Sequence, residues 1–154
     1  AASFFGLTRR NFDAAHFARA VMEGTVFNLG YGFARMRSLG LAPTEIRATG
    51  GGARSRLWLQ IAADIFKTPV VTLREQEAAA YGAALQAIWN YEIEGGRDVR
   101  IEDLAARMVL TETPAMEPRP EHFAMYDELQ GRFNSVWRTL RPEYPAHRKL
   151  LDKI

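Results

Sequence analysis

Three consecutive glycines, Gly50-Gly51-Gly52, followed by Ala53, Arg54, Ser55 and Arg56, are the residues of this chain whose types and spacing suit a defined piece of chemistry. Residues without side chains reach positive φ cheaply and let backbone pack where a Cβ would collide. Just ahead of a helix N-terminus they leave free N–H groups facing the same space as the positive end of the helix dipole. That combination binds anions, and a phosphate is its usual occupant. The same residues also make a tight strand-to-helix turn that binds nothing, and glycine count alone leaves the two readings level. Little else in the chain competes as a reactive site. Cysteine is absent, which removes disulfides and thiolate zinc sites, and His16, His122 and His147 lack metal-ligand spacing.

The elements that must position this turn are legible around it. Residues 45–49 read as a short strand, and residues 55–66 as a helix with Leu57, Ile61 and Ile65 on one face and Trp58 and Ala62 beside them. Pro69 to Leu73 is a short strand of the buried type. Glu75, Gln76 and Glu77 place acid before a further helix from 76 to about 91, rich in alanine, whose small residues suit close approach to a neighbour. Upstream, Asn11 or Asp13 can cap a long helix that runs to about Ser38 and ends at Gly40. On it Ala14, Ala18, Val21, Thr25, Leu29, Gly32 and Met36 recur at helical spacing. Phe17, Phe27, Tyr31 and Phe33 widen the apolar surface, so cover on more than one side is expected. Downstream, residues 101–108 read as a short helix, 113–120 as a Pro-rich surface connection, and 121–140 as a helix with Phe123, Tyr126, Leu129, Phe133 and Trp137 in a packing stripe. Alternation of strand and helix implies parallel strands with flanking helices, an α/β class, with the glycine turn at the carboxyl end of a strand.

Composition narrows the partners. The 154 residues carry a formal net charge of +2, and the basic pI of about 9.2 reflects arginine, which stays charged to very high pH. Those arginines are scattered, so no nucleic-acid footprint is expected. No apolar stretch approaches a membrane span, and a cytoplasmic location is the expectation. The chain opens on Ala1-Ala2 and apolar sequence without an initiator Met, which reads as an excision from something longer.

Beyond the residues themselves there is a resemblance. Gly50-Gly51-Gly52-Ala53-Arg54-Ser55, then Leu57-Trp58, Gln60-Ile61, Ala63-Asp64 and Pro69-Val70, resembles the adenosine motif of the FGGY carbohydrate kinases. The third glycine and Trp58 make it most similar to the xylulokinases. Gly6-Leu7-Thr8 with Arg19-Ala20-Val21 and Glu23-Gly24 is similar to the family's long opening helix. Glu77 to Ala84 is similar to its late Ala/Gly helix, and Tyr126 to Leu140 to its C-terminal helix.

The resemblance implies part of an actin-like, ribonuclease-H-like ATPase lobe. Residues 1–154 would be the C-terminal portion of the nucleotide-binding domain, with 113–154 its C-terminal helical extension. It implies ATP and Mg²⁺ as cofactors. ATP or ADP, a pentulose sugar and the remainder of the kinase, including its N-terminal lobe, are the implied partners; a homodimer is admitted. The complete protein would phosphorylate D-xylulose, with the general-base Asp upstream of this chain and no catalytic or metal residue within it, so this chain alone is expected to be inactive. The implied nucleotide-binding residues are Gly50, Gly51, Gly52, Ala53, Ser55 and Arg56. Ser55 also reads as a helix N-cap. Glu77 reads as a dipole-compensating carboxylate, and Glu23 and Asp64 as structural. Arg56 stands where relatives often carry proline, and either reaches over the adenine or points into solvent. Lys67 stands where glycine is common, at a cost of order 1 kcal/mol if a left-handed conformation is kept. A non-catalytic actin-like nucleotide-binding module, or a kinase of gluconate, ribulose or glycerol, are the alternatives.

Overall fold

The computed structural model describes residues 3–75 and 77–153. The opening Ala1-Ala2 and the expected helix start at Gln76 therefore lie outside the described residues. Contacts divide the chain into two units: one runs up to Ala42, takes in Asp64–Lys67 and resumes at Arg119, and the other comprises Pro43–Ala63 and Thr68–Pro118.

The second unit is a mixed α/β layer. Strand β1 (Ile46–Ala48) lies parallel to β2 (Val70–Leu73), pairing Ile46 with Val70, Arg47 with Val71 and Ala48 with Thr72. The connection between them carries a 3₁₀ turn, Gly51–Arg54, and helix α2, Arg56–Phe66. Helices α3 (Ala78–Glu94) and α4 (Ile101–Met108) follow, and then a third strand, β3 (Thr111–Met116). It runs antiparallel to β2 and pairs Leu73 with Thr111, Thr72 with Glu112 and Val70 with Met116, with an irregularity between Val70 and Thr72. Residues 113–120, expected as a surface connection, thus contain a strand through 116. Proline misled that expectation. Pro114 lacks an amide proton, which a central strand cannot tolerate, but β3 is an edge strand of the order β1-β2-β3 and needs donors on one side only.

Within this unit Leu59, Ile61, Ala62, Ala63, Val70, Val71, Leu85 and Leu104 are buried. The Tyr81 hydroxyl donates to the Met108 carbonyl at 2.8 Å and the Trp89 indole to the Val99 carbonyl at 2.8 Å, so two aromatic rings tie α3 to the start and end of α4. Of the small residues on α3, Ala79, Ala80, Ala83, Ala84 and Ala87 are exposed.

The first unit is helical: α1 (Ala14–Ser38), the end of α2, a 3₁₀ turn at Pro120–His122, α5 (Phe123–Leu140) and α6 (Glu143–Leu151). Asp13 caps α1, its Oδ1 accepting from the His16 amide at 3.0 Å. Helix α1 packs on α5 through Phe27, whose ring lies 6.1 Å from Tyr126 and 5.6 Å from Phe133. At Gly30 the approach is so close that a Cβ would fall 2.4 Å from Gln130 Oε1. The helically spaced set Ala14, Ala18, Val21, Thr25, Leu29, Gly32 and Met36 is exposed instead, and the buried side carries Val26 and Phe27. Spacing revealed an apolar helix, yet among the described residues only the Phe27 side is covered.

Asp64 is 0% exposed, and everything around it is arranged to satisfy it. Its Oδ1 accepts from the Arg119 amide at 2.9 Å, and its Oδ2 from Arg119 Nη2 at 2.7 Å and Nε at 3.1 Å. His122 Nδ1 lies 3.1 Å from the same Oδ2, and since an ionised carboxylate only accepts, Nδ1 carries the proton. The hydrogen bond to Asp64 raises the Arg119 guanidinium above its ordinary value, in spite of partial desolvation. A second cluster adjoins it: Tyr126 Oη donates to Glu23 Oε1 at 3.0 Å and accepts from Arg19 Nη2 at 2.7 Å, while Arg19 Nε pairs with Glu23 at 2.6 Å. Burial, reinforced by the Glu23 charge, raises the Tyr126 phenol above its usual range against the opposing pull of Arg19.

Helix α2 ends in a left-handed residue, Lys67 at φ 53°, with the Thr68 amide donating back to the Ala63 carbonyl at 3.3 Å. The strain expected of a non-glycine residue there is present. Opposing it, Lys67 Nζ pairs with Asp127 at 2.7 Å and lies 5.3 Å from the centre of the Phe123 ring.

Removing the carboxylate by Asp64→Ala should lower the unfolding free energy by roughly 2 kcal/mol in urea titration, because the hydrogen bonds that a buried carboxylate accepts from the Arg119 amide and guanidinium are lost. A loss below about 1 kcal/mol would put the pair in the class of solvent-exposed bridges. Tyr126 sets a pH dependence on the alkaline side. The folded state holds its phenolic proton more tightly than the unfolded chain does, so this contribution is complete below about pH 10 and is lost as pH rises through the folded value. Tyr126→Phe should therefore lose less stability than the parent between about pH 8 and about pH 11.

Candidate functional site

The glycine turn lies where β1 delivers it, at the carboxyl end of a strand in a parallel pair, which is where open α/β sheets hold their ligands. The three glycines differ in what the fold asks of them. Gly50 takes φ 78° and ψ −165°, a conformation strained for any residue with a Cβ. A Cβ on Gly52 would sit 3.1 Å from Trp58 Cζ3, so the indole packs directly on that main chain. A Cβ on Gly51 would meet nothing within 4 Å. Neither backbone strain nor packing demands glycine at 51, and the space in front of it is open.

Between β1 and α2 the expected glycine turn is closed as a 3₁₀ turn. The Ala53 amide donates to the Gly50 carbonyl at 3.1 Å and the Ser55 amide to the Gly52 carbonyl at 3.1 Å. The Gly51 and Gly52 amides are the first two of this turn and have no acceptor within it. They are the donors the site offers. Ser55 Oγ accepts from the Trp58 amide at 3.3 Å and the Ser55 carbonyl accepts the Leu59 amide at 3.0 Å, the geometry of an N-cap to α2. Ala53 and Ser55 are half-buried, and Arg56 is exposed.

The remaining sequence candidates resolve into structure. Glu77 occupies the N-cap position of α3, where its charge suits the dipole, although its side chain makes no capping bond. Glu23 belongs to the Arg19–Tyr126 cluster, and Asp64 to Arg119 and His122. Those last two partners lie 55 and 58 residues from Asp64 in sequence, and no local pattern points to them. Among the described residues no group of three or more His, Cys, Asp or Glu is placed to hold a metal ion, and no helix is long and apolar enough to cross a membrane. A larger cavity, about 770 Å³, lies in the helical unit between the N-terminal segment, α1 and α5. Its walls are mostly apolar, and Arg19 and Glu23 at its edge are already joined to each other, so it lacks the converging free donors of the glycine turn.

The three glycines should respond differently to alanine. Gly50→Ala is expected to cost about 1 kcal/mol in urea unfolding, from the conformation alone. Gly51→Ala should stay within about 0.5 kcal/mol of the parent. Gly52→Ala must move the Trp58 ring, detectable as a shift of its indole N–H resonance, and an unmoved resonance would contradict the packing described.

Residues 1–91 match the FGGY family of carbohydrate kinases, C-terminal domain. A xylulose kinase of Haemophilus influenzae is 47% identical over 88 residues, covering 57% of this chain and 18% of its own length. A gluconokinase of Bacillus licheniformis is 33% identical over 143 residues, covering 92% of this chain and 26% of its own. Among solved structures, the ligand-bound xylulose kinase of Lactobacillus acidophilus superposes with a TM-score of 0.80 at 28% identity, covering 94% of this chain and 28% of that one. This chain thus spans roughly a fifth to just over a quarter of the proteins it matches, and its α/β fold is part of their actin-like ATPase fold. The chain belongs to the FGGY family of carbohydrate kinases, with residues 1–91 falling in its C-terminal domain.

Proposed function

We propose that this chain holds the phosphate tail of ATP in a kinase that phosphorylates a sugar, with D-xylulose as the substrate. The supporting observation is Gly51, whose amide has no acceptor within its turn and whose Cα carries open space where a side chain would stand, just past the end of β1. In this reading Gly50 supplies the bend, Gly51 and Gly52 donate to phosphate oxygens, and Ala53 and Ser55 line the pocket with Arg56 beside them. The turn is short, and donated main-chain hydrogen bonds reorganise little when charge shifts, which suits phosphoryl transfer by positioning and charge stabilisation. Mg²⁺, when bound, would neutralise charge on the phosphates; no residue of this chain is assigned to it. The general base and the sugar contacts are likewise assigned to the remainder of the kinase, and a cytoplasmic location belongs to the same proposal.

Xylulose is favoured by the Haemophilus influenzae and Lactobacillus acidophilus relatives. A second reading, gluconate, is favoured by the Bacillus licheniformis gluconokinase, which matches a longer stretch at lower identity. Phosphorylation assays of the kinase containing this chain with xylulose, gluconate, ribulose and glycerol decide between them. A protein that binds ADP yet phosphorylates none of these would instead be a non-catalytic nucleotide-binding module.

Gly51→Val fills the open space with a branched side chain and should weaken ADP binding by roughly tenfold or more in calorimetry, with the thermal midpoint retained. Unchanged affinity would remove the phosphate role. The 154-residue chain by itself should show no ATP-dependent phosphorylation of xylulose, and turnover from the pure chain would place a catalytic base within it.

A further inference from the structure

The register of the parallel pair brings one more residue to the edge that carries the glycine turn. Ala48 pairs with Thr72, and two residues further along each chain stand Gly50 and Arg74. Neighbouring strands lie only about 4.8 Å apart, well within the reach of an arginine side chain. The Arg74 main chain is pinned there, its amide donating to the Leu110 carbonyl at 3.0 Å. Its side chain is exposed beside a cleft of about 200 Å³ that opens past the end of β2 and is also lined by Leu73, Glu75, Tyr81 and Met108.

The Arg74 guanidinium has no hydrogen bond or ion pair among the described residues. Other arginines in the chain do find carboxylates: Arg47 takes Glu45 at 2.8 Å and Arg132 takes Glu128 at 2.9 Å. Glu75 is adjacent to Arg74 in sequence, but its Oε1 faces the Glu77 amide at 3.4 Å. An unpaired, planar fork of donors just past β2, the strand paired with the one that leads into two unbonded main-chain amides, matches the oxygens of a phosphate. Glu75 and Glu77, on the same connection, would repel that ligand, and the positive charge of Arg74 offsets theirs.

We infer that Arg74 is a further binding residue for the phosphate tail of the nucleotide, acting from the strand next to the glycine turn. The inference rests on the reading of Gly50–Gly52 as a phosphate site. It is tested by calorimetry of ADP and adenosine with the kinase containing this chain and its Arg74→Ala, Arg74→Lys and Gly51→Val variants. Arg74→Ala should weaken ADP roughly tenfold or more, as loss of a charged hydrogen bond does, leave adenosine binding and the thermal midpoint unchanged, and be partly rescued by lysine. Unchanged ADP affinity in Arg74→Ala, with Gly51→Val weakened, overturns the role of Arg74 alone. So does an equal loss for adenosine, which would show that Arg74 does not read phosphate. Unchanged ADP affinity in Gly51→Val overturns the glycine-turn reading, and failure of the parent kinase to bind ADP overturns both.

Discussion

A carboxylate with no exposed surface cannot remain charged without partners, and Asp64 shows how much of a fold one such group can organise. Hydrogen-bonding contacts from Arg119 and His122 converge on both of its oxygens. Because one of them is the Arg119 main-chain amide, the constraint falls on the path of the backbone as well as on side chains. It holds the entry to α5 beside the last turn of α2 within the helical unit. The Tyr126 ring, one turn into α5, then meets His122 at 6.3 Å and reaches Glu23 and Arg19 on α1. A chain of polar contacts thus links three helices through groups that are nearly all paired, which is the condition under which a buried polar network specifies a structure rather than weakening it.

Economy of a different kind governs the glycine turn. Three adjacent residues of the same type serve bend, open space and packing in order, and only the middle one is free of a structural reason for lacking a side chain. Trp58 illustrates how packing and site are coupled: its amide is held by Ser55, and its ring lies on Gly52. The cap of α2 and the floor of the turn are therefore the same few atoms, and the donors of Gly51 and Gly52 are preorganised by contacts that do not involve a ligand.

Kinship with sugar kinases of differing named substrates fits this division. What this chain offers at its candidate site is a strand, a bare turn and a capped helix, none of which discriminates one polyol from another. A nucleotide's phosphates are common to every such reaction. Selection among sugars requires side chains that contact hydroxyl groups, and those are assigned here to the rest of the kinase.

Much was readable before any coordinates, and for a local reason. The glycine turn, the Ser55 cap and the Asp13 cap arise from residues within a few positions of one another, so type and spacing suffice; the parallel β1–β2 unit follows from the strand–helix–strand order, and the left-handed Lys67 from the family resemblance. β3 escaped because its proline is disfavoured in strands generally and is tolerated only by its edge position, a property of the whole sheet. The exposed stripe of α1 escaped because periodicity reports that a helix is apolar, not which side meets a neighbour. Arg119 and His122 found Asp64 across more than fifty residues. Short-range chemistry is written in the chain; which distant groups share a buried charge or a sheet edge follows only when the backbone closes on itself and desolvation forces each polar atom to find a partner.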